Sequence, residues 1–448
     1  MKAAFLRWTA AALLTVQLPA CNFSASVETL LSPPRLTAEQ EEIYQVLQAS
    51  AGSSVSLKYP KHGEHLSAFT VVDLDGDGLD EAIVFYEVSL NGAAENPLRL
   101  KLLTQEGGRW RAVNDYPAAG AEIERVDVSA LGSNPRTNLI ISYSLVDGSD
   151  YTAEVYHCEN GELVRSLAVP YSAMSLRDLN GDGETELLTV SAAKLPNPAQ
   201  AEVYSLNQNG RYADLTRALL PESLTDIRRL VFGELPRADG RGTVPAIYVD
   251  GGAGATKAQT AVMTYSDGVL STVYTDSADH IPNTLRPSGC RTLDIDSDGE
   301  PEIPVEAVFY GYTAESEVPQ LPMTNWYVCR NGLLMRECAS YYAVAEGYIF
   351  LMPQRWEKRV TAVQEDEEIV FYEFAPGTQS EDGSPVLKAP LLRLCAVNDP
   401  VAANAMQLDG YLLLRQQNGS YYLGKRETGA KAALSLTDSE LMTAMRYP

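Results

Sequence analysis

Short apolar runs separated by polar, glycine-containing turns recur along most of this chain. Runs at Ala68–Leu74, Ala82–Val88, Leu98–Thr104 and Arg109–Tyr116 have strand length, and Gln105-Glu106-Gly107-Gly108 punctuates the last two. The same rhythm returns at Glu124–Val128, Asn138–Leu145, Ala153–Cys158 and Glu162–Ala168, with Glu159-Asn160-Gly161 as the turn. A third unit carries Ala201–Leu206 and Arg211–Leu215, and a fourth runs through Ile227–Leu235, Val244–Asp250, Ala258–Tyr265 and Val269–Thr275. The fifth ends with Asn325–Cys329, Arg330-Asn331-Gly332 and Leu333–Ala339. Asp73, Asp127, Asp178, Phe232 and Asp294 mark equivalent points, roughly 50–60 residues apart, the size of one four-stranded blade.

Helical spacing is confined to the two ends. Thr37-x-x-Gln40 is a capping-box pattern, and Ile43, Val46 and Leu47 predict a helix over residues 38–49. Past Ala345 the repeat rhythm stops. Gly347–Trp356, Val360–Gln364, Glu368–Phe374, Leu391–Val397, Tyr411–Gln416 and Tyr421–Gly424 read as strands, and Thr437-x-x-Glu440 caps a last helix through about Met445. The prediction is a mainly β chain. A lead-in at 37–66 precedes a β-propeller-like domain of about five four-stranded repeats at 67–342, and a small α+β domain follows at 345–448.

Three of the five repeats open on the same nine-residue loop. Asp73-Leu74-Asp75-Gly76-Asp77-Gly78-Leu79-Asp80-Glu81 is followed by Asp178-Leu179-Asn180-Gly181-Asp182-Gly183-Glu184-Thr185-Glu186 and Asp294-Ile295-Asp296-Ser297-Asp298-Gly299-Glu300-Pro301-Glu302. Each places oxygen side chains at positions 1, 3, 5 and 9 and glycine at position 6. A hard cation such as Ca²⁺ takes six to eight oxygens at about 2.3–2.6 Å, and a tight turn can bring alternate side chains to one point. The expected side-chain ligands are Asp73, Asp75, Asp77 and Glu81; Asp178, Asn180, Asp182 and Glu186; and Asp294, Asp296, Asp298 and Glu302. The carbonyls of Leu79, Glu184 and Glu300 complete the three sets. The competing reading is a polar turn that uses Asp and Gly for its own geometry. Units two and four, at Asp127–Leu131 and Phe232–Pro236, keep the strands and lack the acidic series.

These loops resemble the calcium loops of FG-GAP/VCBS-type repeats, the units of integrin α-like β-propellers and of many bacterial surface proteins. The resemblance covers about residues 67–342 and implies structural Ca²⁺. It departs from the family at Glu81, Glu186 and Glu302, where Asp is usual.

The remaining features bear on location and partners. Lys2, Arg7 and apolar Ala10–Leu18 predict a signal peptide over residues 1–20. Leu18-Pro19-Ala20-Cys21 resembles a bacterial lipobox, which implies lipidation of Cys21, with residues 21–36 as a tether. The expectation is an exported protein, held by a lipid anchor on the outer side of a bacterial cell membrane. A formal net charge of −24 repels phosphate backbones and argues against nucleic-acid partners. Cys158, Cys290, Cys329, Cys338 and Cys395 are scattered without CxxC, so neither a disulfide framework nor a zinc site is indicated. The chain has neither GxSxG nor HExxH. Gly251–Lys257 is a flexible turn, not a phosphate loop, and His157-Cys158, as neighbours in a strand, should face opposite ways with one of them exposed. The functional expectation is a non-catalytic module that binds envelope protein or glycan. The alternative is a polysaccharide-active propeller enzyme, lyase or hydrolase.

Overall fold

In the computed structural model the described residues are 36–52, 55–88, 97–144, 151–237, 240–276, 283–313, 316, 318–429 and 431–448. The expected signal peptide, Cys21 and almost all of the tether lie outside them. Six antiparallel sheets follow one another along the chain. The first contains Val55–Leu57, Phe69–Val72, Glu81–Val88, Leu98–Glu106 and Arg109–Pro117, and the second Glu122–Leu131, Asn134–Ser144, Tyr151–Glu159 and Glu162–Tyr171. The third takes Ala173–Arg177, Glu186–Ser191, Gln200–Tyr204 and Thr216–Leu219. The fourth is Asp226–Pro236, Thr243–Gly252, Lys257–Ser266 and Val269–Tyr274, with Arg286–Pro287 added beside its third strand. This is the mainly β, four-stranded, propeller-like repeat that the spacing predicts.

Middle strands are apolar on both faces because each sheet packs between two neighbours. Val84 faces the helix α1 (Ala38–Ala51), while Phe85 faces the second sheet. Ile141 points back to the first sheet and Ile140 forward to the third. Leu187 and Leu188, then Val249 and Tyr248, repeat this division one sheet further on. His157 and Cys158 are therefore both buried, contrary to the expectation that one would be exposed. The two ends of the stack are closed by helices. Helix α1, with its capping box of Thr37 and Gln40 formed, seats Ile43 and Leu47 on the first sheet. Helix α2 (Pro400–Leu408) covers the last sheet through Ala403 and Met406. The sequence reading did not anticipate α2, although Asp399 followed by Pro400 is a helix-start signal. None of the described helices is long and apolar enough to cross a membrane.

Three other expectations are corrected. The last strand of the third sheet is Thr216–Leu219, not 211–215; the expected run makes only a single bridge, Tyr212 to Leu206, where Tyr212 sets its ring edge-on to Tyr204 and its hydroxyl 3.0 Å from Ser166. The expected run 347–356 is a strand only at Tyr348–Met352. Pro353 ends it, and Trp356 is buried in a single 3₁₀ turn, donating to the Leu434 carbonyl at 2.8 Å. The fifth sheet also runs through the expected boundary near 342–345. Its order is Ile303–Val308, Pro322–Arg330, Leu333–Ala343, Tyr348–Met352 and the C-terminal Met445–Arg446. The sixth sheet is Val360–Glu365, Glu368–Gln379, Pro385–Val397, Leu412–Gln417 and Ser420–Arg426, and one core, including Phe350, Trp356, Phe371 and Leu441, joins it to the fifth. Helix α3 (Asp438–Ala444), with Thr437 and Glu440 forming the expected capping box, contributes Leu441 to that core.

One ion pair is buried in the fourth repeat. Arg286 is fully enclosed, with Nη2 2.8 Å from Asp250 Oδ1, and Asp250 also accepts from the Thr260 and Thr292 hydroxyls at 2.6 and 2.7 Å. Burial alone would raise the Asp250 carboxyl. The Arg286 charge and the threonine hydrogen bonds outweigh it and hold the group below its ordinary value. Asp250→Ala strands a buried guanidinium and is expected to lower unfolding stability by about 3–5 kcal/mol at neutral pH. A depressed carboxyl stabilises above its unfolded pKa of about 4 and loses that contribution as pH falls through the lower folded value. Denaturant melts of both proteins should therefore converge in acid.

Candidate metal loops

The three acidic loops share one hydrogen-bond plan. The position-1 aspartate accepts from the N–H groups of positions 4 and 6: Gly76 and Gly78 at 2.7 and 3.0 Å to Asp73, Gly181 and Gly183 at 2.6 and 2.8 Å to Asp178, and Ser297 and Gly299 at 2.7 and 3.0 Å to Asp294. Position 3 accepts from position 5, at 3.1 Å for Asp75, 3.0 Å for Asn180 and 3.2 Å for Asp296. Position 5 accepts from position 7, at 2.7 Å for Asp77, 2.8 Å for Asp182 and 2.7 Å for Asp298. The closing glutamates reach back across the loop to position 2. Glu81 takes the Leu74 N–H at 2.9 Å, Glu186 that of Leu179 at 2.9 Å, and Glu302 that of Ile295 at 2.8 Å. Positions 4 and 6 both have left-handed φ, which suits Gly76, Gly78, Gly181, Gly183 and Gly299; Ser297 takes the same conformation at +68° without being glycine.

The turn reading is thus correct as far as it goes, since the side chains do build the turn. It does not use all their oxygens. In the third loop Asp294, Asp296, Asp298 and Glu302 bring one oxygen each within 4.8 Å of one another, and in the first loop Asp73, Asp75 and Glu81 do the same. Glu302 is fully buried, and its Oε1 has no hydrogen-bond partner among the described residues. A buried, unpaired carboxylate oxygen beside three more carboxylates fits a hard cation. In the second loop the neutral amide of Asn180 donates to Asp182 Oδ2 at 2.8 Å, and Asp178, Asp182 and Glu186 do not gather as the other two sets do. Asp77 lies outside the first group. Leu79 is exposed at its turn, and Glu184 is half-buried. Glu300 turns its carboxylate to Arg330 at 3.1 Å.

Electrostatics agree with the geometry. Burial, opposed by the Leu179 N–H and reinforced by Asp182 and Asp178, pushes the Glu186 carboxyl up to about 7. Burial, opposed by the Ile295 N–H and reinforced by Asp296, pushes Glu302 up to about 8, and Glu81 is raised for the same reason. A divalent ion would offset this concentrated negative charge.

Position in the stack gives the loops a mechanical role that the sequence pattern did not reveal. The Thr185 carbonyl of the second loop accepts from Gly132 at 2.7 Å, and the Gly299 carbonyl of the third accepts from Glu234 at 2.8 Å. The second and third loops therefore rest on the first hairpin of the preceding, acid-free sheet. A Cβ at Gly233 would lie 2.2 Å from Pro301 Cδ, so only glycine admits this approach. In the acid-free sheets the opening strands, Glu122–Leu131 and Asp226–Pro236, simply continue into hairpins. The stretch 251–257 is the end of one strand and the start of the next, joined by a turn at 253–256 that Ala253 N–H closes on the Lys257 carbonyl at 3.0 Å.

Neither a protein-family model nor a curated protein matches the chain. Among solved structures it overlaps the exotype rhamnogalacturonan lyase YesX over 75% of both chains, at 11% identity and a TM-score of 0.29. A Bacillus licheniformis rhamnogalacturonan lyase gives 10% and 0.28, covering 74% of this chain and 90% of that one. An α-L-arabinofuranosidase from Fusarium graminearum gives 10% and 0.23, covering 75% and 96%.

Asp294→Ala removes the acceptor for the N–H groups of Ser297 and Gly299. It is expected to cost about 1–3 kcal/mol even in excess chelator. Comparing melts with and without divalent cation should show a second, cation-dependent loss that a turn-only role would not produce.

Proposed function

We propose that this protein is an exported lipoprotein whose stacked sheets are braced by Ca²⁺ at the three acidic loops, and that it works as a non-catalytic module binding envelope protein or glycan. The observation that carries the metal reading is the thrice-repeated loop plan, which leaves oxygens over after the turn is built, together with the unpartnered buried Oε1 of Glu302. Ca²⁺ is preferred for its tolerance of many oxygens at flexible geometry. The second and third loops sit on neighbouring sheets through Gly132 and Glu234, so the ion's role there is to hold the sheets together. The membrane anchor rests on Cys21 in its lipobox-like context.

At the affinity typical of extracellular calcium modules, ~10⁻⁴–10⁻³ M, each site would contribute about 0.4–1.4 kcal/mol at ~1 mM Ca²⁺. Calorimetry is expected to show a melting temperature that falls on EDTA treatment and recovers with Ca²⁺. An unchanged transition with no calcium by elemental analysis would remove the brace. Cys21→Ser should release the protein from the membrane fraction. For the binding role, the full-length protein is screened against envelope proteins and glycans, with retention of a specific partner expected; substrate turnover without retention would overturn it.

A further inference from the structure

A second feature lies far along the chain from the acidic loops. A cleft of about 610 Å³ opens between the fifth and sixth sheets, at the start of helix α2. Its floor is aromatic. Tyr341 and Tyr348 line it with ring centroids 6.1 Å apart, tilted by 60°. They are 8% and 2% exposed, and neither hydroxyl has a hydrogen-bond partner among the described residues. Burial raises both phenols, Tyr341 to about 12, so both hydroxyls stay neutral at physiological pH.

The rim is acidic. Glu346, Glu367 and Asp399 border the cleft with the Asn398 amide, and its lining contains no Lys, Arg or His. None of the three carboxylates has an ion-pair partner among the described residues. Asp399 caps α2, accepting from Val401 at 2.9 Å and Ala402 at 3.4 Å, so the helix start presents a carboxylate where an anion would otherwise be welcomed. The Glu346 and Glu367 side chains are exposed and make no hydrogen bond or ion pair among the described residues, while the Glu346 carbonyl accepts from the Tyr422 hydroxyl at 2.8 Å.

We propose that this cleft binds an organic ammonium group, the charge held by Glu346 and Glu367 and its alkyl portion set against the rings and hydroxyls of Tyr341 and Tyr348. A desolvated cation near tyrosine faces gains cation–π attraction, and charge-assisted hydrogen bonds to carboxylates add to it. An anion would meet three carboxylates and no cation. A neutral sugar would leave that charge unanswered. The strongly acidic chain favours approach of cations in general. The inference goes beyond the calcium-braced reading and does not need it.

The test is titration calorimetry on the full-length protein, with and without EDTA, using Nα-acetyl-lysine amide for a protein side chain, glucosamine for an amino sugar, and N-acetylglucosamine as the uncharged control. Saturable binding of at least one of the two amines is expected, weakened by salt and roughly tenfold by either Glu346→Gln or Glu367→Gln. Both sites are exposed, so the variants should melt like the parent, which circular dichroism checks. Whichever amine binds more tightly identifies the source of the ammonium. Failure of both amines to bind, equal binding of N-acetylglucosamine, or binding indifferent to both substitutions would overturn the proposal.

Discussion

A sheet that is apolar on both faces cannot face water on either, and that constraint organises the molecule. Consecutive residues of each middle strand, such as Val84 and Phe85 or Ile140 and Ile141, enter different cores. Every sheet must therefore lie between two covers. Interior sheets find them in their chain neighbours. The first and last find them in α1 and α2. The same requirement draws the C-terminal segment back, since Met445 and Leu441 complete the core between the fifth and sixth sheets.

The acidic loops are set within this packing. A position-1 aspartate that accepts two backbone N–H groups makes a compact turn, and compactness lets the loop sit on the hairpin of the sheet before it, at Gly132 or Gly233. The cost is crowded negative charge next to a buried glutamate. Sheets that make the same connection by a plain hairpin avoid it, which shows that the connection itself does not demand acid. The acid builds the compact turn, and in the first and third loops it leaves carboxylate oxygens gathered closely enough that they could hold a metal ion.

The loops and the strands on either side were legible in the sequence because their signals are local: glycine at a left-handed position, oxygen side chains on alternate residues, apolar runs of strand length. Both capping boxes were legible for the same reason. The contact of the Tyr212 hydroxyl with Ser166 was not, since Ser166 belongs to another sheet. Nor was the aromatic cleft: Tyr348 reads simply as a strand residue and Tyr341 falls between two expected strands, until the sixth sheet and α2 close around them.

By itself, then, the sequence determined a mainly β chain of repeating four-stranded units and the residues that build each acidic turn, because backbone conformation and side chain-to-backbone hydrogen bonds are settled within a few residues. Tertiary structure alone decided where one packing unit ends and the next begins. The run at 348–352 reads as the start of a new domain, yet it pairs with the fifth sheet on one side and with Met445–Arg446 on the other. Strand pairing between segments nearly a hundred residues apart depends on which apolar faces remain uncovered, and that is known only once the neighbouring sheets are in place.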